Sequence, residues 1–191
     1  MSAFTVGYLV GSLSSQSINR LLSRALVRLA PEGLLMTEIS FGDLPLYNRD
    51  LDADFPAPAR NLKAHIGAVD AILFITPEYN RSIPGALKNA IDWASRPKGQ
   101  NALARKPSAV IGASTGKIGT AIAQQHLKSI LSFCNSPQMN AIEAYIQFTP
   151  GLITETGDVT DTSTEAFLRN YMAEFRAFIG RVYTAIPRAS A

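Results

Sequence analysis

The chain has 191 residues, of which 47% are hydrophobic and 17% are charged, a balance typical of a compact globular protein and unlike that of a disordered chain. Its net charge of +3 comes from scattered Lys and Arg residues without a basic run, which argues against a nucleic-acid-binding protein and suits anionic small ligands. No apolar run approaches the roughly 18 residues of a membrane span, and the first residues have a strand pattern rather than that of a signal peptide.

Predicted strands and helices alternate along the chain. Short apolar runs predict strands at residues 4–10, 34–39, 69–76, 108–113 and 139–146. Apolar residues at helical spacing predict helices at 17–29, 59–66, 84–95, 118–133 and 164–183. The remaining connections are a proline- and aspartate-rich loop at 41–58, a polar connection at 96–107, and a loop or short hairpin at 151–162.

Five strands separated by helices predict a parallel sheet with right-handed crossovers and helices on both faces. The usual five-strand solution is the flavodoxin-like order 2-1-3-4-5, a three-layer α/β/α sandwich, here as one domain over residues 1–191. Strands 1, 3 and 4 are neighbours in that order. The loops that follow them, at 11–19, 77–82 and 114–119, should therefore meet at one edge of the sheet, where open α/β folds bind their ligands.

The first of these loops contains four serines and two amides but no acid. Such a loop can surround a phosphate with hydroxyls and backbone N–H groups at a helix N-terminus, where the helix dipole favours negative charge. The alternative is a serine-rich turn in which Ser17 only caps the helix. The loop matches neither a Walker phosphate loop nor Gly-x-Gly-x-x-Gly, which argues against an ATPase and a Rossmann dehydrogenase. Helical phase leaves open whether Arg20 or Arg24 reaches it.

The other two loops also have a ligand-like composition. The second loop holds one aromatic residue, one carboxylate, one amide and one arginine, which favours binding of a flat polar molecule over acid–base chemistry. The third loop contains Gly116 and Gly119, which permit close approach of its backbone to a ligand, although an ordinary strand–helix turn is the alternative.

Five segments together carry a family resemblance. They are Gly11-Ser12-Leu13 with Ser17 and Asn19; Leu44-Pro45-Leu46-Tyr47; Pro77-Glu78-Tyr79-Asn80 with Ser82-Ile83-Pro84-Gly85; Leu87-Lys88-Asn89-Ala90-Ile91-Asp92-Trp93; and Gly112-Ala113-Ser114 with Gly116 and Gly119. The third and fourth form a highly specific signature. The chain resembles the NADPH-dependent FMN reductases of the flavodoxin-like superfamily, which include bacterial quinone and chromate reductases.

The resemblance implies a non-covalently bound FMN, with NADPH or NADH as co-substrate. The implied cofactor-binding residues of the first loop are Gly11, Ser12, Ser14, Ser17, Ile18 and Asn19, of which Ser12, Ser17, Ile18 and Asn19 would surround the phosphate. Those of the second loop, along the isoalloxazine and ribityl chain, are Pro77, Glu78, Tyr79, Asn80 and Arg81. Those of the third loop, which would approach the ring, are Ser114, Thr115 and Gly116.

The implied reaction passes a hydride from the nicotinamide to the flavin and then, in a ping-pong scheme, to a small-molecule acceptor. A quinone is expected, with azo compounds, nitroaromatics, chromate or free flavin as alternatives. No side chain is assigned a catalytic role, because the flavin carries the redox chemistry. Glu78 is expected to bond only backbone or a partner subunit, and Tyr79 to contact the flavin. A homodimer or homotetramer is expected, with contacts through the helices at 84–95 and 118–133.

Some positions depart from the family pattern. Many members have Arg where this chain has Ser14, Gly where it has Thr120, and Pro near Thr115. These differences leave the preference between NADPH and NADH open, and Arg81 and Lys117 are the candidates to supply the missing positive charge. The residues of the signature helix, by contrast, are predicted to be structural: Pro84, Lys88, Asn89, Asp92 and Trp93.

Two other classes of function are consistent with the fold. A flavodoxin-like electron carrier would bind FMN without oxidising NAD(P)H, but such carriers are acidic, and the pI here is near 9.1. A non-catalytic interaction protein would bind no flavin. His65 and His126 lack partners at metal spacing, so no metal site is predicted. Cys134 is the only cysteine, predicted to be buried, which indicates a reducing compartment such as the cytoplasm.

Overall fold

The computed structural model describes residues 3–187. The strands are β1 (Phe4–Val10), β2 (Leu34–Glu38), β3 (Ala71–Ile75), β4 (Ser108–Ser114) and β5 (Tyr145–Gln147). The helices are α1 (Ile18–Arg28), α2 (Ala57–Ala68), α3 (Gly85–Ala94), α4 (Ala121–Phe133) and α5 (Thr162–Ala185). A 3₁₀ turn, Arg49–Asp52, lies within the loop that connects β2 to α2.

The five strands pair in parallel in the order β2-β1-β3-β4-β5, which confirms the predicted flavodoxin-like order. Every residue of β3 is buried because both of its faces are covered. Leu73 and Ile75 pack in the core beneath α1 and α5, whereas Ile72 and Phe74 pack in the core beneath α2, α3 and α4. These two cores make the three layers of the sandwich.

The last strand differs from the prediction. Residues 139–146 were expected to form it, but β5 comprises only Tyr145–Gln147. Gln138 forms a single parallel bridge with Ser108, after which the chain bends away from the sheet. Ile142 has a φ of +61°, outside the strand region, so the pairing is interrupted there and resumes only where Tyr145 meets Gly112.

Several helix boundaries also differ from the predicted ones. Helix α2 begins at Ala57, ahead of the predicted residue 59, because Pro58 fits the first turn, where its missing N–H is not needed. Helix α4 begins at Ala121 because the preceding residues form a turn in which Gly119 has a φ of +58°. Helix α5 begins two residues earlier than predicted, after Asp161, whose carboxylate accepts the N–H of Thr164.

The central strands approach each other closely at their carboxyl ends. A Cβ added to Gly112 would lie 2.0 Å from the carbonyl oxygen of Thr76, so only glycine fits this position. This contact brings the loops after β3 and β4 together. Within residues 3–187 no helix is long and apolar enough to cross a bilayer, and no three His, Cys, Asp or Glu side chains are grouped to hold a metal ion.

Candidate functional site

The loops after β1, β3 and β4 enclose a cleft of about 280 Å³ at the carboxyl edge of the sheet. Its lining consists of Ser12, Ser14, Gln16, Ser17, Ile18, Asn19, Pro77, Glu78, Tyr79, Ala113, Ser114 and Thr115. Four of the predicted site residues are adjacent to this lining but outside it: Gly11, Asn80, Arg81 and Gly116. The structure therefore brings the three predicted loops together at one place.

The first loop is folded by its own hydroxyl groups. The Ser12 Oγ accepts the N–H of Ser14 at 3.3 Å, and the Ser14 Oγ accepts the N–H of Gln16 at 3.3 Å. These side-chain turns leave Ser17 as the N-cap of α1 with an extended backbone.

The N-cap residue of α1 provides no side-chain acceptor for the first N–H groups of the helix. The Ser17 side chain makes no capping hydrogen bond, and the first turn of the helix contains no acidic residue. The first N–H groups of a helix need acceptors, and the helix dipole favours an anion there. Because Ser17 and Ile18 both line the cleft, the donor set fits a phosphate group.

The two arginines that follow this loop are engaged elsewhere. Arg20 forms an ion pair with Glu38 at 2.9 Å, and Arg24 forms one with Glu155 at 2.7 Å. The sequence left open whether Arg20 or Arg24 reaches the first loop, and in the structure both guanidinium groups bind carboxylates outside that loop. The donors that surround the start of α1 are hydroxyls and backbone N–H groups.

Asn19 connects the first loop to β4. Its side chain is buried, its Nδ2 donates to the carbonyl of Ala113 at 2.9 Å, and its Oδ1 accepts the N–H of Ala113 at 2.9 Å. Since both bonds go to the same residue, they also determine the orientation of the amide. Asn19 was predicted to surround the phosphate, and the structure shows that its polar side-chain atoms bind the backbone of β4.

The second loop forms a tight two-residue turn. Tyr79 and Ser82 exchange backbone hydrogen bonds of 2.9 and 3.0 Å, and the residues between them, Asn80 and Arg81, have φ angles of +51° and +62°. Positive φ at both central positions is the geometry of a type I′ turn. The turn holds Tyr79 half exposed beside the cleft and places Arg81 at its tip.

Glu78 serves as the cap of α4. Its Oε2 accepts the N–H groups of Ile122 and Ala123, both at 3.1 Å, whereas the N-cap residue Thr120 makes no capping bond of its own. The side chain of Glu78 is only 9% exposed, and its Oε1 lies 3.4 Å from the guanidinium of Arg81. A carboxylate held in this way positions the second loop against α4.

The third loop also contains a side-chain turn. The Ser114 Oγ accepts the N–H of Gly116 at 3.2 Å, and residues 115–118 are exposed. Gly119 is required by close packing as well as by its positive φ, since a Cβ there would lie 2.8 Å from the backbone carbon of Tyr145.

The segment Leu44-Pro45-Leu46-Tyr47 is fastened to α3. The side chain of Asn89 accepts the N–H of Tyr47 at 2.8 Å and donates to the carbonyl of Pro45 at 2.9 Å, and the buried Trp93 donates to the same carbonyl at 2.7 Å. Leu46 lies between these anchors and is 84% exposed. The segment follows β2 and so lies at the same edge of the sheet as the cleft.

Two residues of the lining were not selected from the sequence. Gln16 ends the second serine turn, and the sequence signal for it was its position in a loop of ligand-like composition. Ala113 has no polar side chain and contributes backbone, for which the sequence offers no signal. Cys134 is buried at the end of α4, and burial raises the pKa of its thiol, which makes it a poor nucleophile.

A flavodoxin-like sheet with an uncapped, hydroxyl-rich helix start at its carboxyl edge is typical of α/β proteins that bind a ligand through its phosphate group. The chain belongs to the NADPH-dependent FMN reductase family, whose model matches residues 4–150. It is accordingly a flavin-dependent oxidoreductase that uses FMN and NAD(P)H, as the sequence resemblance predicted.

Similar proteins cover nearly the whole chain. A 2-hydroxy-1,4-benzoquinone reductase from a Burkholderia species is 44% identical over 177 residues, with 93% of this chain and 97% of that protein aligned. A quinone reductase from Pseudomonas putida is 42% identical over 177 residues, with coverages of 92% and 95%. Among solved structures, FerB of Paracoccus denitrificans, a flavoenzyme NAD(P)H:(acceptor) oxidoreductase, is 46% identical, with a TM-score of 0.90 and coverages of 94% and 98%.

Proposed function

We propose that the chain acts as a single-domain NAD(P)H:quinone reductase, passing a hydride from the nicotinamide through FMN to a quinone in a ping-pong scheme. The observation that carries this proposal is the uncapped start of α1 within a cleft that three loops enclose. The names of the two relatives, both quinone reductases, support the class of acceptor. Azo compounds, nitroaromatics, chromate and free flavin remain alternative acceptors of the same site.

In this proposal, the chain's contribution is binding and orientation. The hydroxyls of Ser12 and Ser17, with the first N–H groups of α1, bind the phosphate of FMN. The Tyr79 turn provides a wall for the flat ring, and the backbone of Ser114 and Thr115 lies at the ring edge. When bound, FMN supplies a centre that accepts a hydride and releases it again.

The shape of the site supports the ping-pong order of this proposal. One cleft leads to the position proposed for the flavin ring, so the nicotinamide and the acceptor would approach that ring in turn. Leu13, Leu46 and Tyr79 are large, exposed apolar side chains on segments at this edge, with exposed fractions of 58%, 84% and 50%. Exposed apolar surface of this kind suits a planar aromatic acceptor.

A spectroscopic titration tests the proposal. The purified protein should show the visible absorbance of a bound flavin, NADPH or NADH added without oxygen should bleach it, and a quinone should restore it. Steady-state rates at several quinone concentrations should give parallel double-reciprocal lines. Absence of flavin would leave an interaction protein, flavin that neither nucleotide bleaches would indicate an electron carrier, and intersecting lines would exclude the ping-pong order.

The phosphate position is tested by two substitutions at one residue. Ser17→Asp supplies a capping carboxylate to α1, which should stabilise the protein without cofactor by about 0.5–1 kcal/mol while repelling the phosphate. Ser17→Asn supplies a neutral cap of the same shape. We expect the aspartate variant to lose FMN and the asparagine variant to retain more of it. Equal FMN affinity of the two variants, measured by fluorescence titration, would contradict the assignment.

We also infer a homo-oligomer that forms through α3 and α4. A groove of about 410 Å³ separates the two helices, lined by Ile83, Lys88, His126 and Ile130 among others, and Ile118 and Phe133 are 49% and 89% exposed on or beside α4. A second copy of the chain would cover this surface. A monomeric mass by light scattering at micromolar concentration would contradict this inference.

The single, buried Cys134 suits a reducing compartment such as the cytoplasm.

A further inference from the structure

Arg81 occupies a backbone position that ordinarily belongs to glycine. Type I′ turns require positive φ at both central residues, and asparagine followed by glycine is their preferred sequence. Here Asn80 fills the first position in the usual way, but Arg81 has a φ of +62°, which is unfavourable for a long side chain. Residues held in such strained backbone conformations cluster at functional sites, and Arg81 lies beside the cleft.

The guanidinium of Arg81 is available to a ligand. It is 67% exposed, and its contact with Glu78 is a 3.4 Å approach to a carboxylate whose other oxygen is occupied by α4. An exposed ion pair of this length contributes little stability. Glu78 lines the cleft, so the guanidinium that approaches it lies at the rim of the site.

Positive charge is scarce on the three loops. Residues 11–19, 77–82 and 114–119 contain two cationic side chains, Arg81 and Lys117. Arg20 and Arg24, which follow the first loop, are paired with carboxylates. Of the two loop cations, Arg81 is the one oriented by a hydrogen-bonded turn and by a neighbouring buried carboxylate.

We propose that Arg81 binds the 2′-phosphate of NADPH and thereby makes the enzyme prefer NADPH to NADH. This rests on the proposed function, since the nicotinamide must reach the flavin inside the cleft, which leaves the adenosine half at the rim. The 2′-phosphate is the group by which the two nucleotides differ. A guanidinium matches its geometry with paired hydrogen bonds.

Arg81→Gly is the direct test, because glycine removes the charge and fits the positive φ, so the melting temperature should not fall. With a quinone as acceptor at low ionic strength, kcat/KM for NADPH should fall at least about tenfold, because the loss of even one charge-assisted hydrogen bond has that effect, while kcat/KM for NADH stays within about twofold. Arg81→Lys should retain part of the selectivity. Lys98→Ala is an equal charge change at an exposed residue of the connection between α3 and β4, at the opposite edge of the sheet, and should leave kcat/KM for both nucleotides unchanged.

A second readout uses competitive inhibitors. Adenosine 2′,5′-bisphosphate should inhibit the wild type more strongly than 5′-AMP, and Arg81→Gly should abolish that difference. Equal losses for NADPH and NADH, no loss for either, or a loss of selectivity on Lys117→Ala in place of Arg81→Gly would each overturn the assignment. A wild type that neither nucleotide reduces would instead refute the proposed function, so the two failures are distinguishable.

Discussion

Replacing Asn19 with leucine removes the connection between α1 and β4 without leaving a large cavity, because the two side chains are similar in size. Asn19 is 1% exposed, and its two 2.9 Å bonds satisfy both the N–H and the carbonyl of Ala113. Each buried backbone group that loses its partner costs about 1–3 kcal/mol. We therefore expect a loss of about 3 kcal/mol, or about 6–12 °C in melting temperature for a chain of this size.

Asn19→Asp makes the same connection dependent on pH. A protonated carboxyl can accept from the N–H of Ala113 and donate to its carbonyl, whereas the ionised form has no donor and places a buried charge against the carbonyl oxygen. Burial and that oxygen should raise the pKa of the introduced carboxyl above its unfolded value of about 3.9. Its stabilising contribution is thus present below about pH 4 and is lost as the pH rises through the folded-state pKa.

Urea unfolding of the cofactor-free protein between pH 4 and pH 7 measures this effect. The stability deficit of Asn19→Asp relative to the wild type should grow with pH, and that of Asn19→Leu should stay constant. A cofactor-free Asn19→Leu variant with wild-type stability but weakened FMN binding would refute the reasoning, because it would show that the amide serves the phosphate and not β4.

Three further predictions concern other contacts of the site and the fold. Glu78→Gln keeps an acceptor for α4 but removes the negative charge, so it should lower the free energy of unfolding by about 1 kcal/mol. Glu78→Ala leaves two N–H groups without an acceptor and should lower it by about 3 kcal/mol. Urea unfolding measures both. Gly112→Ala places a Cβ 2.0 Å from the carbonyl oxygen of Thr76, so it should cost more than about 3 kcal/mol or prevent folding, as read from soluble yield and melting temperature. Hydrogen bonds from Ser163 and Thr164 lower the pKa of Asp161 to about 2. The stability that this carboxylate contributes should therefore be present above about pH 4 and lost as the pH falls toward 2. In Asp161→Asn, the melting temperature should fall less steeply over this pH range than in the wild type.

Each of these predictions has a contrary outcome. Equal stability of Glu78→Gln and Glu78→Ala would mean that the carboxylate does not cap α4. A fully stable Gly112→Ala would show that β3 and β4 can separate at their carboxyl ends. An acid transition of Asp161→Asn identical to that of the wild type would mean that the Asp161 carboxylate contributes no stability that is lost as the pH falls below 4. Gly67→Ala, at a glycine whose Cβ would meet nothing within 4 Å, serves as a matched control for Gly112→Ala.

The sheet was predictable because its signals are local. A run such as Ala71–Ile75 is apolar at every position, which is how a strand with both faces covered appears in a sequence. The fifth strand was predicted, but its bounds of 139–146 were wrong because the apolar pattern gives no sign that Ile142 adopts a left-handed backbone and that pairing stops there. Helix starts were missed by two or three residues where a proline or a glycine turn set the boundary.

The site was predictable as a place more than as a set of contacts. Loop position after β1, β3 and β4 brought Ser17, Tyr79 and Ser114 into one cleft, as the strand order requires. The partner of Asn19 was not readable from composition, and for Glu78 the sequence left open whether it bonds backbone or a partner subunit. An amide or a carboxylate in a polar loop can face a ligand or the backbone equally well, and here both side chains bind backbone groups from distant parts of the chain.

The sequence by itself determined the strand order, the edge of the sheet that carries the site and the family to which the chain belongs, because periodicity and short motifs are properties of neighbouring residues. Tertiary structure alone decided which polar atoms remain free for a ligand. Asn19 meets a strand 94 residues away, and Glu78 meets a helix 44 residues away, and such partners exist only once the chain has folded. What those contacts leave open is the bare start of α1 and the exposed guanidinium of Arg81.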